Sequence, residues 1–294
     1  MLKHINILDG GFGQAIVKKG LNQIGTLWGC SAYLNEKDHQ KVIDTHLEFI
    51  NAGSKIITTS NFTIRKRRLA QNELETKLKD FLEISGKLAQ EAVNISNKDI
   101  EIAGSLPTRG ETYKSDIYLS DEDLLQEFYE SASIINPYVD LFYLDVLCCS
   151  KEIELALESI KSFNKDAIVG IHLKDSGKLP SGESITDLKK ILSKYKIRAV
   201  IGGCISPEIY QKVSNELKEL NYNYGFKVNA FESIPDDWSI TPNANPNLSL
   251  GKRSDFDSHK FVEFCKTAIK DGASFVGGCC EINHNHIKAL SNEL

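Results

Sequence analysis

Short runs rich in β-branched and apolar residues recur along the chain, and longer stretches between them space apolar positions three or four apart. The runs are Ile5–Leu8, Lys55–Thr59, Ile100–Gly104, Val139–Leu144, Ala167–His172, Ile197–Gly202, Tyr224–Asn229 and Ser274–Gly278. Their length and β-branched content predict strands. The stretches at roughly 37–52, 72–96, 121–136, 150–163, 184–194, 207–220, 258–270 and 284–292 predict helices. In the first of these, Ile43, Leu47 and Ile50 share one face. Ser120 followed by Asp121-Glu122-Asp123 supplies an N-cap and an acidic first turn. Ser206-Pro207-Glu208 likewise suits a helix start, with proline at the first helical position.

Eight strand-then-helix units in 294 residues predict a single-domain (β/α)8 TIM barrel spanning residues 1–294. An open doubly wound sheet is the poorer fit, because no Gly-x-Gly-x-x-Gly opens any helix. Barrels of this kind carry their chemistry in the loops after the strands. Three of those loops are long. One runs from Asp9-Gly10-Gly11-Phe12-Gly13 through Trp28, another from Leu106 to near Tyr118, and the third covers 230–257 with Trp238 and the stretch Thr241–Asn247. A connection as long as the third is expected to cover the site.

A net charge of −5 and a pI near 5.9 argue against nucleic-acid binding. The one basic cluster, Arg65-Lys66-Arg67-Arg68, reads as a solvated helix start. No run approaches the length of a membrane span, and the amino terminus enters strand-like sequence without the apolar stretch of a secretory signal. The seven cysteines include two adjacent pairs, poorly spaced for a disulfide framework. Free thiols in a reducing cytoplasm are expected.

The cysteines then become the candidate chemistry. Cys204 follows Gly202-Gly203 at the end of the sixth run, and Cys279-Cys280 follows Gly277-Gly278 at the end of the eighth. A barrel brings both strand ends to one rim, where three thiolates would hold a zinc ion and leave a fourth position for a substrate sulfur. The preceding glycines are expected to free the backbone so that neighbouring cysteines converge. Cys148-Cys149, after the fourth run, is the competing pair but lacks such glycines. Cys30 and Cys265 read as small core residues, and His284 and His286 as polar residues opening the last helix. Asp9 and Asp145 end the first and fourth strands, where inward carboxylates suit an ammonium group. Gly10-Gly11 leaves room for backbone N–H groups to approach a ligand carboxylate. Trp28, Phe62, Tyr113, Tyr118 and Trp238 fall on the rim side, and aromatic faces attract onium cations.

These residues resemble the homocysteine S-methyltransferases, the pterin-independent group that includes betaine- and S-methylmethionine-dependent enzymes. The resemblance runs from Leu8-Asp9-Gly10-Gly11 to Gly277-Gly278-Cys279-Cys280 and His286-Ile287, with Leu27-Trp28, Ile57-Thr58-Thr59, Ala103–Leu106 and Gly202-Gly203-Cys204 between. It implies a barrel with Zn2+ on Cys204, Cys279 and Cys280, and a homocysteine-like thiol whose amino group is positioned by Asp9 and Asp145. It also implies methyl transfer from a sulfonium or quaternary ammonium donor to that thiol, giving methionine. S-methylmethionine, S-adenosylmethionine, betaine and dimethylsulfoniopropionate all fit the donor role. A homo-oligomer is compatible with such a barrel.

Three positions depart from the family pattern. Gly203 stands where asparagine is usual, Asp145-Val146 where glutamate-threonine is usual, and Glu281 where a basic residue is common. Two other functions fit parts of the sequence: a Schiff-base lyase using Lys174 or Lys227, and a zinc or thiol sensor that no longer transfers methyl groups.

Overall fold

The structure, a computed structural model, describes residues 4–243 and 246–294. Each of the eight apolar runs becomes a strand: β1 (Asn6–Ile7), β2 (Ile56–Thr58), β3 (Glu101–Pro107), β4 (Leu141–Leu147), β5 (Ala167–Ile171), β6 (Ile197–Ile205), β7 (Asn223–Val228) and β8 (Phe275–Gly278). All pairings are parallel, in the order β1-β8-β7-β6-β5-β4-β3-β2. A bridge between Leu8 and Ile56 joins the two ends, reinforced by the Lys55 N–H donating to the Ile7 carbonyl at 2.7 Å. The result is the expected (β/α)8 barrel.

Two apolar layers follow from the two faces of each strand. Leu8, Ile56, Ala103, Leu141, Ile168, Ile201 and Phe275 belong to one buried cluster, made entirely of strand and strand-end residues. A larger layer lies between strands and helices, and includes Ile43 and Ile50 from the first predicted helix. At the amino-terminal end of the strands Arg198 clamps Glu101 through two bonds of 2.5 and 2.7 Å and lies over the Phe275 ring.

The helices are α1 (Phe12–Lys18), α2 (His39–Ala52), α3 (Lys66–Ala70), α4 (Leu78–Ser96), α5 (Asp121–Ile135), α6 (Ser150–Ile160), α7 (Lys189–Leu192), α8 (Pro207–Glu219), α9 (Pro246–Leu250), α10 (Ser258–Lys270) and α11 (His284–Ser291). Ser120 and Ser206 cap α5 and α8 as expected, accepting from the N–H groups of Asp123 and Ile209. Three differences stand out. The sequence around Gly11 and Gly13 reads as loop, yet it forms α1, because Ile16 is fully buried in the core. The 72–96 stretch begins only at Leu78, since Glu73 takes a left-handed conformation with φ 57°. The 184–194 stretch shrinks to a 3-10 turn at Thr186–Leu188 and the single turn of α7.

The basic cluster corrects a further expectation. A helix does start at Lys66, but Arg65 and Arg68 are only 1% and 2% exposed. Arg65 donates to the carbonyls of Thr108 and Gly110 and to the Thr112 hydroxyl, while Arg68 pairs with buried Glu111. Their charges are tolerated because Arg65 meets three acceptors in the loop after β3, and Arg68 meets the Glu111 carboxylate there and the Gln71 amide oxygen at the end of α3. No helix among the described residues is long and apolar enough to cross a membrane.

Candidate active site

Cys204, Cys279 and Cys280 converge at the carboxyl-terminal rim. Cys280 Sγ lies 3.8 Å from both Cys204 Sγ and Cys279 Sγ, and the three sulfurs all fall within 4.8 Å of one another. A tetrahedral zinc with bonds of about 2.3 Å sets its sulfurs about 3.8 Å apart, so the trio fits that ion. Among the described residues no other group of cysteine, histidine or carboxylate side chains gathers in this way. Cys148 instead turns toward the Val146 carbonyl. His286 closes the capping box of α11 and His284 faces Glu48, as their helix-start positions suggest.

The backbone achieves this convergence differently from the expectation. None of the glycines beside the cysteines adopts positive φ; Cys204 itself does, at 53°, where a bulge interrupts the β6–β7 register. A bulge re-aims a side chain toward the strand end. The adjacent cysteines share a side because Ile282 N–H closes a tight turn onto the Cys279 carbonyl, with Glu281 at φ 64°. The glycines provide clearance. A Cβ on Gly278 would stand 2.2 Å from Ile282 Cγ2, and one on Gly202 would stand 2.3 Å from Ile205 Cδ1. Gly10 and Gly11 do the same job against the Cys279–Ile282 turn, and the Gly11 N–H donates to the Ile282 carbonyl at 2.8 Å rather than facing a ligand. Trp28, Tyr113 and Val146, which line the same cavity, also have positive φ. Backbone strain of this kind gathers at functional sites.

Burial opposes ionisation of Cys204, but hydrogen bonds from Cys279, Cys280 and the Tyr113 hydroxyl hold its thiol well below the usual range. Cys279 and Cys280 are pushed up, chiefly by donating to Cys204. Asn229, just after β7, places an amide beside Cys204: its Nδ2 donates to the Cys204 carbonyl at 2.7 Å and lies 3.9 Å from the sulfur.

Besides the cysteines, polar residues from four strand ends, Asp9, Thr58, Asp145 and Lys227, line the same cavity. The Asp9 carboxylate does meet an ammonium, but it is that of Lys227. Lys227 Nζ donates to Asp9 Oδ1 at 2.5 Å and to Thr58 Oγ1 at 3.1 Å, while Asp9 Oδ2 accepts the Thr58 N–H at 2.7 Å. Burial works against the Lys227 charge, yet Asp9 and Asp145 outweigh it and raise its pKa. A lysine held as ammonium is a poor imine-forming nucleophile, and Lys174 lies outside the thiol-lined cavity, paired with exposed Asp236 at 2.9 Å. Asp145 accepts the Ser105 hydroxyl at 2.9 Å, and burial raises its carboxyl to about 6.

Aromatic residues form the wall above the thiols. Trp28, Phe62, Tyr113 and Trp238 pack around Cys204 and Cys280 with Phe231 and Leu250. Tyr118 does not join them: it is 80% exposed and lies under the Arg67 guanidinium. The loop after β7 reaches over this wall. Trp238 sits 5.5 Å from the Tyr113 ring, Lys114 bonds the Asp237 carbonyl, and Asn243 exchanges hydrogen bonds with Gly25. Of the stretch Thr241–Asn247, Ala244 and Asn245 lie outside the described residues.

Sequence reasoning missed the role of Arg65 and Arg68, which fix the loop bearing Tyr113. The spacing of Arg68 and Leu69, at three and four residues from Arg65, is the signal that marks an inward face.

A family model, homocysteine S-methyltransferase, matches residues 6–294. The chain belongs to the homocysteine S-methyltransferase family. It is an enzyme of that family, a methyltransferase acting on a thiol. It is 19% identical to homocysteine S-methyltransferase 2 of Saccharomyces cerevisiae, across 98% of this chain and 94% of that protein. It is 23% identical to the S-methylmethionine–homocysteine S-methyltransferase BHMT2 of Pongo abelii, across 97% and 77%. The metallated form of the homocysteine methyltransferase MmuM from Escherichia coli superposes with a TM-score of 0.79 at 20% identity, across 99% of this chain and 97% of that one. This last likeness is one of fold.

Proposed function

We propose that the protein transfers a methyl group from an onium donor to the thiol of homocysteine or a close analogue, giving methionine, with zinc on Cys204, Cys279 and Cys280. The convergence of three thiols at the barrel rim carries this reading. Bound there, zinc supplies an ionised acceptor thiol at neutral pH, where a free thiol with a pKa of about 8.5 is mostly protonated.

The protein's own residues orient the rest. Tyr113 donates to Cys204 and keeps that sulfur facing the cavity. Asp145, fixed by Ser105, offers a carboxylate to the acceptor's amino group. Trp28, Phe62, Tyr113 and Trp238 present aromatic faces to a sulfonium or quaternary ammonium donor, which they attract while excluding water. The reaction then needs only alignment of sulfur, methyl and leaving group, which a walled pocket provides. Cysteines that must stay reduced suit a reducing compartment such as the cytoplasm.

The test is a donor panel. Purified zinc-loaded protein is incubated with homocysteine and, separately, S-methylmethionine, S-adenosylmethionine, betaine and dimethylsulfoniopropionate, and methionine is detected by mass. Methionine from at least one donor is expected. Homocysteine binding with no methionine from any donor would favour a zinc or thiol sensor instead.

A further inference from the structure

Lys227 is the feature that the family reading does not absorb. It is 7% exposed, points from β7 into the cavity that holds the thiols, and lies 5.4 Å from the centre of the Tyr143 ring. Its ammonium occupies the place beside Asp9 that a ligand's ammonium would otherwise take. A second cation there would meet a like charge at close range, in a site too dry to screen it. A lysine ammonium carries three N–H donors. Two point at Asp9 Oδ1 and Thr58 Oγ1, which leaves one for an oxygen on a ligand in the cavity.

Resting on thiol methyl transfer as the activity, we propose that Lys227, braced by Asp9 and Thr58, binds the carboxylate of the acceptor thiol, so that recognition depends on that carboxylate more than on the amino group. The preferred acceptors are small mercapto acids, with or without an α-amine. Homocysteine belongs to this class: its carboxylate meets Lys227 while its ammonium has only Asp145. Removing the amine therefore costs little, because Asp145 retains Ser105 as a partner. Removing the carboxylate leaves the third Lys227 donor in a dry site without an acceptor, which is the expensive change.

Three thiols separate these effects. Zinc-loaded protein is titrated by calorimetry with homocysteine, with 4-mercaptobutanoate, which lacks the amine, and with 3-aminopropanethiol, which lacks the carboxylate. The same three serve as acceptors in the donor panel. We expect 4-mercaptobutanoate to bind within about threefold of homocysteine and 3-aminopropanethiol to bind about 10- to 100-fold more weakly, the worth of one charge-assisted hydrogen bond. Lys227→Met should weaken both mercapto acids by that factor and strengthen the aminothiol, because Asp9 is released. Binding of the aminothiol as tight as that of homocysteine, or equal binding of all three, overturns the proposal. If Lys227→Met does not fold, the ranking by the unaltered protein decides alone. The expected ranking without methyl transfer from any donor overturns the transfer reading and leaves the role of Lys227 standing. Transfer with the reverse ranking does the opposite.

Discussion

The Tyr113 hydroxyl meets Cys204 Sγ at 3.2 Å across 91 residues of chain. Burial keeps Tyr113 a neutral phenol, so it donates and the sulfur accepts. Replacing it with phenylalanine removes one of the bonds that favour the thiolate over the buried thiol. In metal-free Tyr113→Phe the first ionisation of the trio should rise by on the order of one pH unit, read from thiolate absorbance during a titration. An unchanged titration would mean that the hydroxyl does not act on that sulfur.

Asp145 gives a pH signature. Burial raises its carboxyl from 3.8 to about 6, so the folded state favours the protonated form. The stability this contributes is fully present below 3.8 and is lost as pH rises through about 6. Asp145→Asn should therefore stabilise metal-free protein by about 3 kcal/mol at neutral pH and change little near pH ~3.5. Urea unfolding at the two pH values checks this. A destabilised variant at neutral pH would show that the ionised carboxylate is favourable where it stands.

Arg68 and Glu111 form a buried pair in the support of the Tyr113 loop. Arg68→Ala leaves Glu111 without its closest cation, and loss of about 3–5 kcal/mol is expected from equilibrium unfolding. A loss below about 1 kcal/mol would return this arginine to the surface role its sequence suggests.

Two glycines beside the thiols should behave oppositely. Gly278→Ala drives a methyl into buried Ile282 and disturbs the turn that aims Cys279 and Cys280. A cost of about 1–3 kcal/mol and weaker zinc retention are expected. Gly203→Ala meets nothing nearer than 3.4 Å, so stability should stay within about 0.5 kcal/mol. Equal effects in thermal unfolding would contradict this account of the clearance.

The barrel was legible because each strand is apolar enough to stand out between amphipathic stretches, and burial on both faces imposes that pattern. The thiols were legible because cysteine is chemically distinctive at any position. Other features depended on partners far along the chain. Arg65 looks solvated until the loop at 108–112 folds onto it, and Lys227 looks ordinary until Asp9, 218 residues away, receives it. The Gly-Gly-Cys pattern pointed to three sulfurs that do converge, but for the wrong reason. The glycines admit close packing, while Cys204 and Glu281 themselves take the left-handed conformations.

The proposed activity rests on three sulfurs acting together on one ion. Metal content of the purified protein, compared with that of Cys204→Ala and Cys279→Ala, tests this most directly. One zinc per chain in the unaltered protein, and its loss in each variant with the barrel still folded, is the expected result. Zinc content unchanged by both substitutions would contradict it.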